Sequence, residues 1–175
     1  MHDCIVRGAR VVDGTGSPAR TADVGFHDGR VTEVGRVGGT ARVEIQADGL
    51  ILCPGFVDPH THYDPQLTFE PYGTSSCFHG VTSVVTGNCG FSVAPARATD
   101  REFTTQIFAR VEDMSPRSLA AIPWDFETFP EFLAARRGRL GINAGFYVGH
   151  SNVRRWIMGD DSFARAANGE EVEAM

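Results

Sequence analysis

Pro54-Gly55-Phe56-Val57-Asp58-Pro59-His60-Thr61-His62-Tyr63-Asp64 is the stretch whose reading decides the fold. Pro-Gly punctuates the chain and ends the pattern before it. Phe56-Val57-Asp58 then reads as a short buried strand that runs into His60-Thr61-His62. At a strand end, side chains at i and i+2 share a face. Their Cα atoms lie ~7 Å apart at ~3.3 Å rise per residue. Two imidazoles at that separation can converge on one ion with Zn–N of ~2.0–2.1 Å. The competing reading is a pair of exposed loop histidines. Asp58 and Asp64 flank the pair as candidate orienting carboxylates.

Downstream, Val81-Thr82-Ser83-Val84-Val85-Thr86 is β-branched or small throughout and predicts a strand buried on both faces. It ends at Gly87-Asn88-Cys89-Gly90. Neighbouring parallel strands lie ~4.8 Å apart, so Cys89 can face the histidines, and a thiolate is a good zinc ligand. Taken alone, a buried free cysteine is more often packing; Cys4 and Cys77 are read that way. The spacing predicts a helix over 100–113, with Thr99 or Asp100 as cap and Phe103, Ile107, Phe108 and Val111 on one face. A second helix is predicted within Trp124–Arg137, a third strand over Ile142–Val148 ending at Gly149-His150, a helix over Ser151–Met158, and another beginning at Gly169. His150, at that strand end, is open between a local loop histidine and a substrate contact. Weak helical character lies around Gly73–His79, where His79 suits a helix end. The pattern from 54 to 175 is strand, loop and helix three times over. It argues for parallel strands with helical crossovers and chemistry at their C-terminal ends.

Upstream, residues 1–53 read as short strands broken by Gly8, Asp13-Gly14, Asp28-Gly29 and Gly35, a β meander. Asp28-Gly29 is the best hairpin signal. The net charge of −6 over 175 residues argues against a nucleic-acid partner. No stretch approaches the ~18 apolar residues of a membrane span, and the first residues lack a basic-then-apolar leader, so a cytoplasmic location is expected. Four cysteines are too few for a disulfide scaffold. All positive side chains are arginine. Arg136, Arg137, Arg139, Arg154 and Arg155 are expected on the solvated surface, Trp124 and Trp156 in packing, and His2 and His27 on the surface.

The Pro54–Asp64 run resembles the start of the barrel in the amidohydrolase superfamily. His79-Gly80-Val81-Thr82-Ser83-Val84-Val85-Thr86-Gly87-Asn88-Cys89-Gly90 is similar to the N-acyl-D-amino-acid deacylase branch, as are Val11-Val12-Asp13-Gly14-Thr15-Gly16 and the segment from Gly149-His150 to Met158-Gly159. The resemblance implies an α/β chain in which residues 1–53 are part of a composite β-sandwich. Residues 54–175 would then be the first three or so βα units of a (β/α)8 TIM-type barrel. It implies one or two zinc ions, His60 and His62 on one metal position, and Cys89 in the bridging role of a carboxylated lysine. It implies hydrolysis of an N-acyl-D-amino acid, a small-molecule substrate, with the ion polarising the amide carbonyl and activating water. A full barrel needs ~250 residues. The general-base aspartate and further histidines are therefore expected beyond residue 175, and the chain alone is expected to be inactive. Three other readings remain open. One is a hydantoinase- or dihydropyrimidinase-like cyclic-amide hydrolase, one a cysteine nucleophile at Cys89, and one a non-catalytic remnant or a subunit completed by the missing barrel.

Overall fold

The later part of the chain is organised on three parallel strands. A computed structural model describes residues 1–175, which divide into two compact units, Met1–Pro54 and Gly55–Met175. No helix is long and apolar enough to cross a membrane.

In the first unit, β1 (His2–Val11) pairs antiparallel with β2 (Arg20–His27), and β2 with β3 (Arg30–Gly35). β4 (Ala41–Gln46) and β5 (Ile51–Leu52) both run parallel to β1. Only the first three strands therefore follow the expected meander. Alternation along a strand says which face is buried; it does not say which strand lies alongside. Gly8 is no strand break either. The ladder skips between Val6 and Ala9, and Gly8 has φ of +66°. It is a bulge, closed by the Asp23 carboxylate, which accepts the Gly8 N–H at 2.9 Å. Asp28 and Gly29 both have positive φ (49° and 69°), the backbone that a two-residue hairpin of type I′ requires. Val6, Ala9, Val11 and Val24 form the buried core of this unit.

In the second unit, β6 (Phe56–Thr61), β7 (Val81–Thr86) and β8 (Asn143–Phe146) form a parallel sheet in that order. Thr61 pairs with Thr86, and Thr86 with Phe146, so the three strands end level. The ladder is irregular between Asp58 and Thr61, where Pro59 has no N–H to give. β7 is not buried on both faces: Val84 and Thr86 are buried on one, whereas Val81, Ser83 and Val85 on the other are only partly covered. Between β6 and β7 the chain makes only 3-10 turns, Gln66–Thr68 and Ser76–His79. A helical crossover is thus missing from the first connection.

The helices expected over 100–113 and within Trp124–Arg137 are shorter than the periodicity predicts, whereas those expected at Ser151–Met158 and from Gly169 are found. α1 is Arg101–Val111, with Phe108 and Thr104 buried and Val111 facing water. Asp100 precedes it but does not cap it; its carboxylate accepts from Arg155 Nε at 2.7 Å instead. After the short α2 (Pro116–Leu119), α3 covers only Phe129–Arg136. It begins at Thr128 because Thr128 and Glu131 make a capping box and Pro130 stands in the first turn. α4 is His150–Met158 and α5 is Gly169–Ala174. Arg136 is not solvated: it is 5% exposed, and its Nη2 donates to both oxygens of Asp125. Arg155 is likewise drawn in between Asp100 and Asp160. Periodicity misses both because a paired guanidinium can be buried where a lone one cannot.

Phe132 anchors the core beneath the sheet. It is 1% exposed and meets Phe126 and Phe146 edge-on, each with ring centroids 5.0 Å apart. Truncation leaves a cavity as well as losing apolar burial, so Phe132→Ala is expected to cost about 3–5 kcal/mol. Urea unfolding measures it, and a loss below about 1 kcal/mol contradicts this packing.

Candidate metal centre

Thr61 is the hinge of the site. Its side chain points inward and donates to the Val85 carbonyl at 3.0 Å. His60 and His62, on either side of it, therefore turn the other way. Their ring centroids lie 5.7 Å apart. β7 ends level with β6, and Gly87 turns the chain so that Cys89 comes back over the strand end. The result is a close approach: His60 Nε2 lies 2.9 Å from Cys89 Sγ. One donor atom from each of His60, His62 and Cys89 falls within 4.8 Å of the others.

This donor set fits zinc. Two imidazoles and a thiolate are the borderline-soft mixture that Zn²⁺ prefers over magnesium or calcium. Zn–N near ~2.05 Å and Zn–S near ~2.3 Å in a tetrahedron separate N from S by roughly 3.6 Å. The His60–Cys89 pair must open by only roughly 0.7 Å from its 2.9 Å contact to admit an ion of those bond lengths. His62 also carries an unfilled requirement: its Nδ1 is buried with no hydrogen-bond partner.

The surroundings of His62 come from Phe91, in the loop after Cys89, and from the C-terminal end of α1. Phe91 stacks on the imidazole at 5.0 Å and 25°, and Phe108 backs Phe91 edge-on at 5.6 Å. Glu112, four residues beyond Phe108, places Oε1 3.6 Å from His62 Nε2. The expected orienters behave differently. Asp58 accepts from the His60 backbone N–H at 3.2 Å, not from a ring. Asp64 is 1% exposed and accepts from the Val93 N–H at 3.1 Å, while its second oxygen has at best a poorly formed contact with the Thr86 hydroxyl. Burial pushes the Asp64 carboxyl up to about 7; the Val93 N–H opposes that rise and the nearby Glu112 charge adds to it.

His60, His62 and Cys89 are thus brought together as the motifs predict. His150 is not among the converging donors; it is exposed and opens α4 instead of closing a strand. Glu112 and Phe91 were not legible as site residues. The one available signal was the i, i+4 spacing of Phe108 and Glu112, which puts an acid on the buried face of a helix. Asp3, His27 and Asp28 also gather donor atoms within 4.8 Å. There, both nitrogens of His27 already face carboxylates, at 3.5 and 3.7 Å, on an exposed hairpin.

Searched against protein-family models, the chain has no match. It is 35% identical over 177 residues to D-aminoacylase of Alcaligenes xylosoxydans xylosoxydans, a match covering 99% of this chain and 34% of that protein. Its structure aligns with N-acyl-D-glutamate deacylase of Bordetella bronchiseptica, crystallised with zinc and a phosphonate mimic of the tetrahedral intermediate. That match has a TM-score of 0.78 at 34% identity and covers 99% of this chain and 34% of that one. A crystal structure of D-aminoacylase, described as defining a novel subset of amidohydrolases, matches with TM-score 0.78 at 35% identity, over 99% of this chain and 35% of that one. The chain spans about a third of the length of these relatives. Likeness of sequence and of structure, sustained along nearly all of its length, shows that the chain belongs to the amidohydrolase family, in the branch of D-aminoacylase and N-acyl-D-glutamate deacylase.

Proposed function

We propose that this chain forms the metal-holding part of a zinc-dependent N-acyl-D-amino-acid deacylase, with His60, His62 and Cys89 as ligands for one or two ions. The observation that carries this reading is the convergence of those three side chains at the level ends of two adjacent parallel strands. In this reading β6, β7 and β8 open a (β/α)8 barrel, and Met1–Pro54 belongs to a β-sandwich. The protein works in the cytoplasm on a small N-acyl amino acid. When bound, zinc supplies Lewis-acid polarisation of the amide carbonyl and activation of water.

The chain's own residues do the rest of the work assigned to it. With zinc bound, Cys89 would serve as a thiolate ligand beside the two imidazoles and offset part of the ion's charge. Phe91 covers one face of His62 and keeps water from it. Asp64 holds the Val93 amide and so steadies the segment that follows Cys89. His150, whose Cβ lies at van der Waals distance from the Cβ position of Gly90, is assigned to substrate. The proton-transferring carboxylate is assigned to a part of the relatives' length that these 175 residues do not span.

Metal removal tests the ligand set. Zinc content after dialysis is expected to be about one equivalent or more in the wild type, and to fall at least tenfold in Cys89→Ala and in His60→Ala. Unchanged zinc in either variant refutes the assignment.

Substrate class is tested by a second assay on the protein encoded by the whole reading frame. N-acetyl-D-amino acids are expected to be hydrolysed in preference to hydantoin and dihydropyrimidine rings, with the 175-residue chain alone inactive. Faster turnover of the cyclic amides, or robust deacylation by the 175-residue chain, contradicts the proposal.

A further inference from the structure

The loop that carries Cys89 is held from both sides. Gly87 has φ of +84°, and a Cβ there would lie 2.5 Å from the Tyr147 carbonyl oxygen, so the loop passes directly against the end of β8. The Ser151 N–H donates to the Gly90 carbonyl at 2.7 Å. Further along, the Ser92 N–H donates to Asn152 Oδ1 at 2.9 Å, and Ser92 Oγ accepts from the Gly149 N–H at 3.0 Å. Gly149 itself must be glycine, because a Cβ would meet the Phe91 and Ser92 backbone at 2.6 Å. These contacts tie the loop to the β8 side. On the β6 side, beside the Cys89–His60 approach itself and the Asp64–Val93 bond further along, Asn88 Nδ2 donates to the Pro59 carbonyl oxygen at 2.7 Å.

That bond joins the neighbour of one candidate ligand to the neighbour of another. Asn88 precedes Cys89, and Pro59 precedes His60. The ladder between β6 and β7 is irregular just there, so strand pairing does not by itself set the spacing. Asn88 is exposed and absent from every core cluster. Packing does not explain an amide at this position; a donor aimed at a carbonyl does. An aspartate of the same size would instead set a carboxylate against that oxygen.

We propose that Asn88 is a positioning residue, its amide setting the separation between the Cys89 thiolate and the His60 imidazole. The proposal rests on Cys89 being a metal ligand. It acts through the backbone of both ligands and touches no substrate.

Cobalt(II) tests it, because a thiolate bound to cobalt gives a charge-transfer absorption in the near ultraviolet that reports on the sulfur alone. The 175-residue wild type, Asn88→Ala, Asn88→Asp and Cys89→Ser are titrated with cobalt, with circular dichroism to score folding. Asn88→Asp is isosteric and serves where Asn88→Ala fails to fold. Both Asn88 variants are expected to bind cobalt about 10- to 100-fold more weakly, as when a group that orients a ligand is lost. Their sulfur band per bound cobalt is expected to be diminished while the circular dichroism is unchanged. Affinity within about threefold of wild type together with an intact band overturns the positioning role while leaving the ligand assignment standing. Retention of the band in Cys89→Ser removes the ligand assignment, and the positioning role with it.

Discussion

Everything in the candidate site depends on three parallel strands ending at one level. Thr61, Thr86 and Phe146 are paired across the sheet, so the loops that leave them start from a common edge. Parallel pairing makes this possible because every strand presents its C-terminal end on the same side. A one-residue slip of β7 against β6 would turn its side chains to the opposite face and carry Cys89 away from His60. The register is therefore a constraint on the candidate site as well as on the fold. It is held by the buried side of the sheet: Val84, Leu67 and Ile142 pack together beneath it, and Phe146 reaches the aromatic cluster around Phe132.

The polar groups under the site show what this arrangement costs. His62 Nδ1 is buried without a hydrogen-bond partner, and one oxygen of Asp64 and the Thr86 hydroxyl have at best a poorly formed contact with each other. Unpaired buried polar atoms each cost on the order of 1–3 kcal/mol, and natural folds keep few of them. Three poorly satisfied atoms so close to one strand edge mark a place where something besides stability set the residues. An ion drawing on the imidazoles and thiolate would offset part of that cost, since anything that binds the folded state alone stabilises it.

Much of this was legible in the sequence. The His-x-His pair and the Gly-Asn-Cys-Gly turn named the three converging side chains, because the period of two in a strand and the glycines around Cys89 are local signals. The Asp28-Gly29 hairpin was legible for the same reason. What stayed hidden was non-local. Strand order in the first unit, with β4 and β5 parallel to β1, leaves no trace in alternation. Gly8 read as a break because a bulge glycine and a turn glycine look alike in one dimension. Asp100 read as a cap because its partner Arg155 lies 55 residues away, and Arg136 read as surface because its partner Asp125 is separated from it by a proline and a helix start. Asn88 carried no signal of its own until its carbonyl partner on β6 was known.

The central claim is that His60, His62 and Cys89 hold one metal position together. X-ray absorption at the zinc edge of the zinc-loaded chain tests it most directly. The account predicts a sulfur scatterer at ~2.3 Å together with imidazole nitrogens at ~2.0–2.1 Å, the sulfur shell disappearing in Cys89→Ala. A first shell of nitrogen and oxygen alone in the wild-type chain would contradict it.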